Sequence, residues 1–217
     1  MFTKSALTAV IASFVFVTAA QAEVQAMAGT DLNLRAGPGP MYEILGVIPS
    51  AAPVAVLGCL EAASWCQVSY DGKQGWASGD YLTAMVENVP APIYVNREKV
   101  AVGTVTYEDT TAASTVGGGT MGAVAGALIA GPIGAAVGAV IGGGMGAAAD
   151  PGPTVTSYVV ANPVEPIYLD GEVVLGSGIP EGVTLAEVPD SEFSYAYVNG
   201  LPVIVERKQR QVVYIVR

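Results

Sequence analysis

The chain has 217 residues, 19 acidic and 9 basic side chains for a net charge of -10, two cysteines and no histidine. That balance excludes a nucleic-acid binder, which needs a basic footprint, and it removes the usual bases, thiol nucleophiles and zinc sets from consideration. From Ala101 through Glu206 there is no Lys or Arg at all, and the last basic residues, Arg207, Lys208, Arg210 and Arg217, read as flanking a hairpin turn.

The N-terminus carries Lys4, an apolar run from Ala6 to Ala20, and Ala20-Gln21-Ala22 before Glu23, the three-part pattern of a secretory signal. The pattern predicts a signal peptide over 1–22, an exported chain beginning at Glu23, and no lipid attachment, since no cysteine lies near the cut. About 195 residues then allow one or two compact domains.

Residues 23–86 show short apolar runs broken by Gly, Pro and Asp-Gly without a helical period, which predicts a small antiparallel barrel. Strands are expected at Leu32-Asn33-Leu34-Arg35, Ile44 to Ile48, Val54 to Leu57, Trp65 to Tyr70 and Gly75 to Ala77, with a tight hairpin at Asp71-Gly72. In an oxidising compartment Cys59 and Cys66, flanking a short polar loop between two strands, are expected to close a structural disulfide. Closing so short a loop contributes about 2.5 kcal/mol by chain entropy.

Leu32-Asn33-Leu34-Arg35-Ala36-Gly37-Pro38-Gly39, Tyr42, Gly46, Trp65-Cys66-Gln67-Val68, Gly72, Gly75-Trp76-Ala77 and Tyr81-Leu82 occur in an order that resembles the bacterial SH3-like domains of envelope proteins. The resemblance implies a five- or six-stranded barrel, no intrinsic catalysis, and binding to cell-wall peptide or glycan. Independently of the family, Tyr42, Trp65, Tyr70, Trp76 and Tyr81 are more aromatics than so small a core hides. Trp76 in its apolar strand reads as core. The candidate ligand-binding set is Tyr42 beside the Pro-rich turn, Trp65 at a hairpin tip, and Tyr81, with Asp80 as polar neighbour. Arg35 reads as structural.

Residues 87–115 read as a linker with a β-hairpin, because Pro92 to Gly103 echoes Pro166 to Gly176, and a third version runs from Tyr197 to Val205. In each a Tyr-led strand meets Asn or Asp, and Asp170-Gly171 and Asn199-Gly200 are the dipeptides of two-residue turns.

Residues 116–149 are an uncharged Gly/Ala/Val stretch with two four-residue glycine repeats, Gly118, Gly122, Gly126 and Gly134, Gly138, Gly142, Gly146. That spacing predicts a glycine-zipper helical hairpin, with the helix-packing glycines along one stripe and a break at Gly131-Pro132. Its arms, about 16 Å and about 25 Å long, are short against a hydrocarbon core of about 30 Å. Shallow membrane association and self-assembly with other zipper helices both remain open.

Residues 150–217 read as a small C-terminal antiparallel β domain, with strands at Val183 to Val188, Phe193 to Val198, Val203 to Glu206 and Val212 to Val216. The runs Tyr195 to Val205 and Val212 to Val216 are similar to a C-terminal domain of unknown function of alphaproteobacterial envelope proteins. The acid pairs Glu108-Asp109, Asp170 with Glu172, and Asp190 with Glu192 lie in turn-like context and read as solvated rather than as glycosidase carboxylates.

The fold class expected is therefore mainly β, an SH3-like barrel and a C-terminal β domain joined by the zipper. The function expected is a non-catalytic protein of the periplasm or outer membrane of a Gram-negative bacterium, without metal or cofactor. Its expected partners are peptidoglycan and membrane lipid or copies of itself. The alternative is a structural or pore-like oligomer built on the zipper.

Overall fold

The computed structural model describes residues 23–107 and 150–217; the signal peptide and the glycine zipper expected from the sequence lie outside the described residues. Eight strands form the first sheet: β1 Val24–Ala28, β2 Leu32–Arg35, β3 Ile44–Ile48, β4 Pro53–Cys59, β5 Trp65–Tyr70, β6 Lys73–Ser78, β7 Leu82–Val86 and β8 Val89–Pro92. They are hydrogen-bonded antiparallel in the order β3-β2-β6-β5-β4-β1-β7-β8 around one core of Ala26, Leu32, Leu34, Ile48, Val54, Val56, Val68 and Leu82. Asp71 and Gly72 both take positive φ, 49° and 71°, the conformation that the β5–β6 hairpin turn requires. Cys59 and Cys66 face each other in the β4–β5 ladder and are joined by a disulfide.

The second unit is a four-stranded antiparallel sheet, β9 Ala186–Glu187, β10 Phe193–Val198, β11 Leu201–Glu206 and β12 Gln211–Ile215, in the order β12-β11-β10-β9. Its two faces separate by the two-residue period of a strand. Ala196, Val198, Val203 and Val205 pack with Leu169, Val173 and Val183, whereas Tyr195 and Ile204 pack on Val159 of helix α1, Gly152–Ala161. The basic turn joins β11 to β12 as expected, and Glu206 accepts the backbone N–H groups of Lys208 and Gln209, which hold its carboxyl below the usual range.

The chain is mainly β, as the periodicities predict, but α1 replaces part of the expected all-strand C-terminal unit. Val, Thr and Tyr dominate this helix and give it little intrinsic propensity. Tertiary contacts make up the difference: the Tyr195 hydroxyl donates to Asn162 O (2.7 Å), the Tyr197 hydroxyl donates to Val159 O (3.1 Å), and Val159 is fully buried.

The repeated hairpin requires correction. Only the third copy is one, with Asn199 and Gly200 at φ 52° and 83° between β10 and β11. Among the described residues of this segment, 87–107, the hairpin expected from Pro92 onward is absent: β8 turns back on β7 through Glu87 and Asn88, and Tyr94–Asn96 is a 3-10 helix. No glycine follows Asn96, whose amide donates to Pro92 O instead of entering a hairpin turn. In the middle copy no ladder joins the arms of the Asp170-Gly171 turn among the described residues; Ile167 bridges Val198 in parallel, and the Leu169 backbone is held by the Asn199 amide.

β2 is buried on both faces. Leu32 and Leu34 enter the barrel core, so the two-residue period turns Asn33 and Arg35 to the outside, where the second unit covers them. There Glu172, 1% exposed, receives a fork from Arg35, with Nη2 to Oε1 at 3.0 Å and Nε to Oε2 at 3.1 Å. Asn33 Nδ2 (2.9 Å) and Val173 N (2.9 Å) complete the carboxylate's shell. The expected solvated acid is thus a buried, fully partnered one, because the barrel rather than water faces its turn. Ile44 of the barrel joins the apolar cluster of the second unit, and Val174 of the second unit joins the barrel core, so the apolar contacts interlock on either side of this pair.

Removing one partner of a buried pair leaves an uncompensated charge. Glu172→Ala is expected to lower stability by about 3–5 kcal/mol, and the double variant Arg35→Met with Glu172→Met by clearly less than the sum of its singles, both read by urea denaturation.

Candidate functional site: an aromatic notch on the barrel

The turn between β2 and β3 is held from inside by Arg35, whose Nη1 donates to Pro40 O (2.9 Å) and Tyr42 O (3.0 Å). Ala36 N donates to Glu43 O (2.9 Å) and closes the turn at its base. The Tyr42 ring lies flat against Gly37: a Cβ there would sit 2.4 Å from Cδ1 of the ring, so only glycine admits this placement. Tyr42 is half-buried and faces Tyr107 edge-on, with ring centroids 5.7 Å apart at 83°. Tyr107 meets Trp76 in the same way, at 5.4 Å and 82°. Trp76 stands opposite Arg35 in the β2–β6 register, so the turn, the ion pair and this aromatic notch share one support.

The other expected site residues lie elsewhere in the barrel. Trp65 opens β5 opposite Ser78 and is 7% exposed; Tyr81 is 5% exposed and belongs to the barrel core. The expectation of surface rings at these two positions is corrected: the hairpin tip is Glu61 to Ser64, and Trp65 falls inside the ladder, where Leu60 N donates to Trp65 O. Asp80 is half-exposed and bonded by Ser64, and burial pushes its carboxyl above the usual range against that hydrogen bond. Burial, with the charges of Asp80 and Glu172 nearby, pushes the Tyr81 phenol up to about 12. Trp76 reads as core in the sequence and is core, 4% exposed, yet one edge still forms the notch. Tyr107 was not legible as a site residue, since it lies well past the barrel strands with no motif around it.

Among the described residues no cluster of three or more His, Cys, Asp or Glu side chains offers a metal site, and no helix is long and apolar enough to cross a membrane.

A small antiparallel barrel with a glycine- and proline-rich turn after its Leu-Asn-Leu-Arg strand defines an SH3-like module. Residues 30–83 match the bacterial SH3 domain family, and residues 158–217 match a domain of unknown function, DUF1236; the chain carries the two in that order. Over 54 residues it is 35% identical to a Bacillus subtilis (strain 168) protein named "Putative N-acetylmuramoyl-L-alanine amidase YrvJ". That stretch is 25% of this chain and 10% of the relative, so the chain spans about a tenth of the relative's length. The SH3 domain and the Cys59–Cys66 disulfide mark a protein that works outside the cytoplasm.

The phenol of Tyr81 gives a test of the core. An unfolded tyrosine ionises near 10, whereas the folded one holds its proton to about 12, so the unfolded state carries fewer protons in that window and stability falls as pH rises through it. Tyr81→Phe is expected to remove the highest tyrosinate step in an ultraviolet titration and to flatten part of that alkaline loss.

Proposed function

We propose that this chain is an exported, non-catalytic protein of the periplasm or outer membrane whose SH3 domain binds cell-wall peptide or glycan. The observation that carries the reading is the SH3 match at 30–83 together with the 54-residue likeness to a protein whose name assigns it to the bond between muramic acid and L-alanine. The geometry is consistent with it. Tyr42 and Trp76 lie beside a rigid turn and both take the edge-on ring of Tyr107, so this is a place where aromatic packing already occurs and where a sugar ring or a short peptide could pack in the same way. Of the four candidate ligand-binding residues, Tyr42 makes the contact in this proposal; Asp80 stays with Ser64, and Trp65 and Tyr81 are buried in the barrel.

The glycine-spaced stretch at 116–149 adds membrane association or self-assembly, and DUF1236 braces the SH3 domain through Glu172. The alternative class, a structural or pore-like oligomer, rests on the same seven glycines.

Purified peptidoglycan sacculi test the first part: Tyr42→Ala is expected to reduce recovery about fivefold or more, the loss of about 1 kcal/mol usual for an interface aromatic. Equal recovery of wild type and variant removes the notch. For the second part, Gly122→Leu with Gly138→Leu is expected to shift the sedimentation of the intact protein to smaller species or to release it from membranes washed with alkaline carbonate. Unchanged sedimentation and retention count against the zipper.

A further inference from the structure

The chain does not leave the barrel at β8. Ile93 is fully buried in the barrel core, the Tyr94 hydroxyl donates to Glu61 O (3.1 Å), and Arg97 donates to Leu60 O (2.6 Å) while lying over the Tyr94 ring, 4.3 Å from its centroid. These contacts fix residues 93–97 across the disulfide-closed hairpin. From Gly103, beyond this anchor, the attachment changes character. Gly103 to Val105 is tied to the barrel by two backbone bonds, Cys59 N to Gly103 O (2.9 Å) and Val105 N to Cys59 O (3.0 Å), in a single parallel bridge. Val105 sits over Gly58, where an added Cβ would come 2.4 Å from its Cγ1. Thr104 and Thr106 are exposed, and Tyr107 sets its ring against both Tyr42 and Trp76.

We infer that residues 93–107 are an intramolecular strap, anchored at Ile93–Arg97 and releasable from Gly103 onward, whose Tyr107 occupies the notch that a wall ligand must enter. The inference rests on the assignment of the Tyr42–Trp76 notch as the ligand surface and adds its regulation. The two edge-to-face contacts that Tyr107 makes are those an incoming ring would use, so strap and ligand exclude each other. Ligand then binds only the fraction of molecules whose strap is open, and its apparent affinity falls by that fraction. A stretch held by one bridge, one valine and one ring opens at much lower cost than the sheet beneath it. The anchored half keeps the released stretch close to the rings, which favours its return after the ligand departs.

The test compares binding of soluble peptidoglycan fragments to the full chain, to Tyr107→Ala and to Val105→Gly, with acrylamide quenching of tryptophan fluorescence read in parallel. Tyr107→Ala is expected to bind about tenfold more tightly than wild type, given two aromatic contacts removed from the closed form, and to quench more readily as Trp76 is uncovered. Val105→Gly, which leaves every notch ring in place, is expected to move both readouts in the same direction by less. Adding Tyr42→Ala to Tyr107→Ala is expected to abolish the gain. Equal or weaker binding by Tyr107→Ala, with wild type still binding, overturns the strap and leaves the wall-binding reading standing. Absence of binding by wild type and both strap variants overturns the wall-binding reading and the strap's role together.

Discussion

The geometry of the barrel's one elaborated turn depends on a guanidinium that the barrel alone does not satisfy. Arg35 divides its donors between two tasks: Nη1 holds the carbonyls of Pro40 and Tyr42, while Nε and Nη2 meet Glu172 and the Asn199 carbonyl of the second domain. The forked carboxylate offsets the desolvation of the charge and fixes the plane of the guanidinium, and that plane sets where the turn's carbonyls lie. Among the described residues no buried side-chain nitrogen or oxygen lacks a partner, so the network is complete rather than strained. A neutral apolar contact of equal area would hold the domains together without aiming the turn.

Much of this architecture is written locally. Asp71-Gly72 and Asn199-Gly200 specify their turns through positive φ; the strands at Ile44–Ile48, Trp65–Tyr70 and Phe193–Val198 have the extents that their apolar runs suggest; and Cys59 and Cys66 fall opposite each other because their loop is short. What stayed hidden is long-range. Asn33 and Arg35 alternate with leucines as an exposed face does, and nothing within β2 says that a segment more than a hundred residues away covers it. Glu172 beside Asp170-Gly171 has the local signature of a solvated turn. The helix at Gly152–Ala161 was illegible for the converse reason, since many of its residues prefer strands and packing on Tyr195 and Ile204, with the hydrogen bonds of the β10 tyrosines, holds them helical.

The candidate site shows the same division. Tyr42 was legible from its place beside Gly37 and the prolines, whereas the roles of Trp65 and Tyr81 depended on which way a ladder residue points, and one residue of offset at the hairpin tip moves a ring from solvent to core. Trp76 could be recognised as core without its contact with Tyr107 being apparent. Tyr107 enters only through tertiary folding. The aromatic cluster is thus assembled from three separate stretches of chain, and its contacts are those of packing rings.

The fork between Arg35 and Glu172 also bears on how such modules can be exchanged between proteins. An SH3 barrel moved without its companion would carry an arginine that points into water, and its turn would lose the reference that aims Tyr42; a companion moved alone would expose an acid shaped for a partner it no longer has. In this respect the two domains behave as one unit, and an exchange that leaves both stable has to treat positions 35 and 172 together.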